Sequence, residues 1–499
     1  MPPLLLSSHR PARPTRLGPP SRGARAALAA LAALALHPGR ADAAPDDAAA
    51  LLSRAKDALG FAAAGTQVIH VRAVIAIEQA YQSDRSYPPF FSAMGTEETW
   101  FATASGVERT SRAVTYPGST SPPEIALTDA RRAFAVGKDG PRIASAERLD
   151  ERYLNPWAVI ADWAAAGDAR IAGRTTYRDY PRVVLVRTTP AGEQRLFLDP
   201  KTGFPVKLER TARHYLWGQR SVEHVYSNWL RAHGLAVAGS SFLLADGHPE
   251  VSRTVGDVEL VAPAAAPSLA IPAAPDRSPD DLPRFLQPLD VTTTAVGPHT
   301  YLLSNPGYTI AVAQIGDEVF VFDATQGEER ARKDAAAIAA LFPGAHKTTV
   351  VVTDLAWPHI AGIRYWAASG ATIVTHDAGR AFLQRVLDRR WTLAPDVLEQ
   401  RRATVVPHLV GVTALTRLAG GAVTLHPIDG IGSEGALMAY VPGDRFLWAS
   451  DYLQTLAEPS LYAEEVVAAV RRDRLAPDRV AAQHLPLTPW SKVIAIRGS

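Results

Sequence analysis

TDLAWPHIAG (Thr353–Gly362) is the stretch on which the reading of this chain turns. It follows a β-branched run, Thr348–Val352 (TTVVV), and leads into His359–Ala368, which reads as a helix. A strand-like run, Thr372–Thr375, and another helical one, Gly379–Leu387, come next. Strands alternating with helices argue for a layered α/β region with the helices outside. The ionisable residues of the stretch are Asp354 and His359.

The same alternation extends in both directions. Upstream lie strand-like runs at Tyr301–Ser304, Tyr308–Gln314 and Glu318–Asp323, then an Ala-rich helix, Gly327–Leu341. Downstream come strands at Ala422–His426, Ala436–Val441 and Phe446–Ala449, a helix at Leu461–Arg472, a strand at Arg479–Ala482 and a last helix from Pro489. Before this region runs VAPAAAPSLAIPAAPDRSPDDLP (Val261–Pro283), too poor in large apolar residues to pack by itself, which predicts a semi-rigid linker. Earlier still, after a short helix (Asp46–Leu59), strand-like runs alternate with turns, for example Thr66–Ile77, Val183–Thr188 and Pro205–Ala212, with a helical insertion near Asn155–Ala166. The fold class expected is α+β / α/β: a mainly antiparallel β domain, then a layered α/β domain. The predicted divisions are 1–43, 44–260, 261–287 and 288–499.

Residues 1–43 read as an export signal. Arg10, Arg13, Arg16, Arg22 and Arg25 precede the apolar run Ala26–Leu36, and Ala41-Asp42-Ala43 supplies a small-residue cleavage site. That run is shorter than the roughly 20 residues a membrane-spanning helix needs. A periplasmic or secreted protein with no transmembrane anchor after cleavage is therefore expected. The 499 residues, 47% hydrophobic and 20% charged, have the composition of a globular protein. A net charge of +2 gives no footprint for nucleic acid. With no cysteine, disulfides, thiolate ligands and a cysteine nucleophile are excluded. There is no G-x-S-x-G elbow, phosphate loop or dinucleotide fingerprint.

From about residue 290 the chain resembles the metallo-β-lactamase-fold hydrolases. TDLAWPHIAG stands where that family carries H-x-H-x-D-H, with Asp354, Ala356 and Pro358 in place of two His and the Asp, and His359 kept. Ser304–Ala324 resembles the opening hairpin, ending in Asp323; Gly432–Asp451 resembles the segment closed by the family's Gly-Asp pair, here Ser450-Asp451; Ala481–Trp490 resembles the strand bearing the last His, here His484. The resemblance implies an αββα sandwich and, in complete members, two metals that activate a water. One site would keep no imidazole, because Ala356 and Gly432 stand at His positions. The other would keep His359, Asp451 and His484, and two His with one carboxylate is a recognised catalytic zinc set.

The expectation is thus a hydrolase with one zinc on His359, Asp451 and His484, using metal-bound water on an unidentified small-molecule substrate. Asp354 is a candidate fourth ligand or base, so that Asp354 and Asp451 are the catalytic candidates, and His376 and Asp323 are pocket candidates. Each of these residues has a structural alternative: a helix cap, or a buried histidine bonded to backbone. The competing expectation is a non-catalytic relative that binds a ligand or protein at the cell envelope. The first β-rich half loosely resembles periplasmic lipoprotein-carrier domains. Tyr87, Phe90, Phe91, Trp100, Trp157, Trp163, Tyr215, Trp217 and Trp229 could line an apolar ligand groove there, or simply pack its core.

Overall fold

A computed structural model describes residues 47–495 except 79–89, 91, 117–118, 121–122, 139, 145–146, 190–191, 274–289, 345, 430–434, 455 and 457–460. The export signal, most of the linker, Gly432, Tyr87 and Phe91 lie outside the described residues. No described helix is long and apolar enough to cross a membrane.

The first half builds one 14-stranded sheet whose neighbours all pair antiparallel. Its centre joins the first strand, Val68–Glu78, to the last, His248–Val261, with Val68 opposite Val261. Two helices pack against its apolar face. In Ala48–Leu59, Leu51, Leu52, Ala55 and Leu59 turn inward, and Gly60 ends the helix at φ 84°. A Cβ on Gly60 would lie 2.4 Å from the Gly234 carbonyl oxygen, so glycine is required there.

Pro156–Ala166 is the inner helix, buried from Pro156 to Trp163. Asn155 caps it by accepting from the Trp157 N–H (3.0 Å), and Pro156 starts it with a preset φ. Trp157 and Trp163 pack fully inside the core instead of lining a groove, while Trp100 stacks on His70 and Trp229 on Phe204. Asn155 also donates to Glu108 (2.6 Å). Asn155→Ala is accordingly expected to cost about 1–2 kcal/mol, read from urea unfolding.

Beside this helix the sheet encloses a charged pocket lined by Glu97, Glu108, Arg112, Thr128, Arg152 and Arg253. Glu97 pairs with both Arg112 and Arg253 (2.7 Å each), and Arg152 forks onto Asp162 of the inner helix (2.8 and 3.1 Å). Burial pushes the Glu108 carboxyl up to about 7, against the pull of Arg152 and the Asn155 hydrogen bond.

The second half supplies a seven-stranded and a six-stranded sheet. Alternate residues of both, among them Phe320, Phe322, Val351, Leu425, Ala439 and Trp448, share one apolar cluster. Helices Glu328–Leu341 and Asp377–Asp388 bury their apolar faces on the other side of the first sheet, and Leu461–Arg472 on the other side of the second. The protein is thus mixed α+β and rich in strands. The helix anticipated at His359–Ala368 is broken in two, Trp357–Ile360 and Ile363–Ala368, because Ala324 N donates to the His359 carbonyl and Gly362 N to the Ala324 carbonyl.

Candidate metal centre

Strand Lys347–Val352 runs parallel to Glu318–Phe322 and delivers Thr353 and Asp354 at its end. Ala356 N donates to Asp354 Oδ1 (2.8 Å), a side-chain turn that starts the short helix carrying His359. The loop is held from below by Asp323, which accepts from Thr353 N and Oγ1 (2.7 and 2.8 Å) and from Trp448 Nε1 (2.8 Å). Asp323 is fully buried and ties the two sheets together from a position with no solvent access. Burial and the Asp354 charge push its carboxyl up to about 7, against the bonds from Thr353 and Trp448. Arg330, also buried, clamps the neighbouring turn through Gln326, Asp334 and the Leu303 carbonyl (2.8 Å each).

Three of the expected residues come together. Ligand atoms of His359, Asp451 and His484 all lie within 4.8 Å of one another. Asp451 Oδ1 is 4.0 Å from His359 Nε2 and 3.4 Å from His484 Nε2. Donors around one tetrahedral zinc stand roughly 3.3–3.5 Å apart; the Asp451–His484 pair has that spacing and the Asp451–His359 pair is wider.

The opposite edge of each ring has a forced hydrogen bond. His359 Nδ1–H donates to Asp354 Oδ1 (2.8 Å) and His484 Nδ1–H to the Gly307 carbonyl (2.7 Å), since neither oxygen can donate. With an Nδ1–H committed on each ring, both Nε2 atoms are directed to the side of Asp451 and offer lone pairs there wherever they carry no proton. Asp451 Oδ1 is buried and accepts no hydrogen bond, while its Oδ2 accepts from Gln454 (2.9 Å). Three facing acceptors with no proton between them repel one another, and a cation among them removes the repulsion. A metal fits that requirement, and so does a proton on His359. Burial opposes a charged ring there, but Asp354 and Asp451 outweigh it and hold the imidazole up at about 9. Asp354 is held below the usual carboxylate range: burial raises it, and His359 more than compensates. Burial raises Asp451 above that range, opposed by His359.

Asp354 contacts His359 from behind and does not face the cluster. Its Oδ1 accepts from Ala356 and His359; its Oδ2 accepts from Ser450 Oγ (2.9 Å) and Gln483 Nε2 (3.4 Å). All of its acceptor capacity is committed within the protein. Ser450 stands where the resemblance has glycine, and it keeps a glycine-like φ of 56°. The residue in place of that glycine thus bonds the residue in place of the first histidine. His376 ends the strand next to the one that delivers Asp354, and its Nδ1 caps helix Asp377–Asp388 by accepting from Ala378 N (3.3 Å).

Sequence reasoning missed Tyr308, Ser450 as a hydrogen-bond donor, and Gln483. The Tyr308 ring meets His484 and His359 at centroid distances of 5.0 and 5.8 Å, walling one side of the cluster. Its position directly after Gly307, at a hairpin turn, was the available signal.

No protein-family model and no curated protein matches this chain. Among solved structures, it is similar to DIM-1 metallo-β-lactamase at a TM-score of 0.33 and 11% identity, over 42% of this chain and 96% of that one. DIM-1 exposed to ceftazidime gives 0.33 and 10%, over 42% and 97%. TMB-1 gives 0.33 and 11%, over 42% and 96%. The likeness is low and spans less than half of this chain.

Proposed function

We propose that this chain is an exported, metal-dependent hydrolase-type protein that holds one zinc ion on His359 Nε2, Asp451 Oδ1 and His484 Nε2. The observation that carries the reading is the buried Asp451 Oδ1, which accepts no hydrogen bond and faces two imidazoles whose other nitrogens are already committed. Zinc bound by two His and a carboxylate supplies Lewis acidity toward water and toward an ester, amide or related carbonyl. The protein's own groups do the positioning. Asp354 fixes the tautomer and angle of His359, and the Gly307 carbonyl does the same for His484. Tyr308 shields both rings from solvent on one side. With its oxygens committed, Asp354 acts by orientation and not as a general base.

A second reading has its own support. A protonated His359 between Asp354 and Asp451 satisfies the cluster without metal, as the rise to about 9 indicates. The chain would then be a non-catalytic scaffold at the cell envelope. The deciding experiment is metal analysis of protein recovered outside the cytoplasm, with its N terminus sequenced. About one zinc per chain is expected on a mature form that has lost the 1–43 leader. Less than about 0.1 zinc per chain after zinc-supplemented refolding eliminates the metal reading.

A further inference from the structure

We propose that the tip of the hairpin between strands Pro205–His214 and Gly218–Ala232 is a positioning element for His359, coupling the large sheet to the candidate metal centre. The inference rests on the metal reading above. His359 belongs to a helix of four residues, Trp357–Ile360, whose N-cap Ala356 offers no side-chain hydrogen bond. A helix this short does not hold itself: Asp354 starts it, Gln326 N and Ala324 N bind the Pro358 and His359 carbonyls, and its outer face is fixed by what packs on it.

The hairpin tip packs on its Trp357. His214 and Trp217 meet the Trp357 ring edge-on at 5.2 and 5.7 Å, and the Arg220 guanidinium lies over it at 5.3 Å. Leu216 is fully buried in the same apolar cluster as Trp357 and Ile360. Trp357 is two residues from His359, so a tilt of its ring moves the imidazole against Asp451.

The tip is itself rigid. His214 Nδ1 accepts from Leu216 N and Trp217 N (3.1 and 3.2 Å). Arg389 Nε donates to the Trp217 carbonyl (3.2 Å), and Gln219 Oε1 accepts from Thr392 N and Oγ1 and Leu393 N (2.9, 2.9 and 3.0 Å). Gly218, at φ 71°, turns against the Trp391 ring, where a Cβ would lie 2.2 Å from a ring carbon. The large sheet therefore contributes a lever whose end presses on the segment carrying the metal ligand.

The test compares the full chain with its Trp217→Ala, Trp217→Phe and Gln219→Ala variants. Zinc affinity is read by competition with a chelating dye, and backbone hydrogen exchange is read peptide by peptide. Trp217→Ala is expected to weaken zinc at least about tenfold and to speed exchange selectively over residues 354–362, with Trp217→Phe restoring most of both. Gln219→Ala, which leaves the apolar contacts in place, gives the same changes in milder form, and decides the matter if Trp217→Ala does not fold. Unchanged affinity overturns the proposal, as does faster exchange spread evenly over the molecule. If the parent chain binds no zinc, the metal reading fails separately. Exchange then decides the hairpin's role: selective acceleration over 354–362 upholds it and unchanged exchange ends it.

Discussion

His484→Ala is expected to lower zinc affinity by more than about a hundredfold while leaving the fold intact. In the proposed site the imidazole would supply one of three donors, 3.4 Å from Asp451 Oδ1, and removing a donor costs more than the 10- to 100-fold typical of a supporting group. Its side chain is 28% exposed, so truncation opens no sealed cavity, and the thermal melt of the metal-free protein stays within a few degrees of the parent. Asp354→Asn is the graded companion. It weakens the hold on His359 Nδ1 without deleting a donor, and about a 10- to 100-fold loss follows. Zinc titration of both variants beside the parent separates the roles. An undiminished affinity in His484→Ala removes that residue from the site; an equal loss in both makes Asp354 a direct ligand.

The second large effect is on stability and arises in the other half of the molecule. Glu108 has its carboxyl raised from 4.5 to about 7 in the fold, so the folded state binds its proton more tightly than the unfolded chain does. Its contribution is fully present below pH 4.5 and is lost as the pH rises through about 7. A shift of this size corresponds to about 3 kcal/mol lost between pH 4 and pH 8. Asp323 and Asp334, raised to about 7 and about 6, add losses of the same sign. Glu108→Gln keeps an acceptor for Asn155 and cannot ionise, so its share of the slope disappears. Urea unfolding of parent and variant at pH 5 and pH 8 measures that share. Parallel pH profiles would mean Glu108 is ionised throughout.

Much of the second half was legible because its evidence is local. β-Branched runs such as Thr348–Val352 and apolar spacing such as that of Leu461–Arg472 mark their elements within a few residues. His359, Asp451 and His484 could be named because they stand, in order along the chain, where the resemblance to the metallo-β-lactamase-fold hydrolases places metal ligands. The role of Asp354 could not. Whether a carboxylate faces a metal or backs a histidine depends on one rotamer, and that is set by Ser450 and Gln483, each far away in sequence. The first half was legible in class and opaque in detail. Trp157 and Trp163 sit in its core because the helix Pro156–Ala166 is packed inside the sheet, which no periodicity announces. The charged pocket was equally hidden. Glu97 and Arg112 are cross-strand neighbours, but Arg253 reaches them from the far end of the sheet-forming sequence.

Because Val68–Glu78 pairs with His248–Val261, the middle of the large sheet is made from the beginning and end of its stretch of chain. The loop that this pairing closes is roughly 190 residues long, so the sheet's centre carries the highest closure entropy of the strand pairings among the described residues. On a growing chain the outer strands can pair as soon as they emerge, but the seam waits until residue 261 is made. Until then the first of the two central strands presents an open edge, so the time between synthesis of the first strand and arrival of the last is the interval in which this protein is most exposed to pairing with the wrong partner.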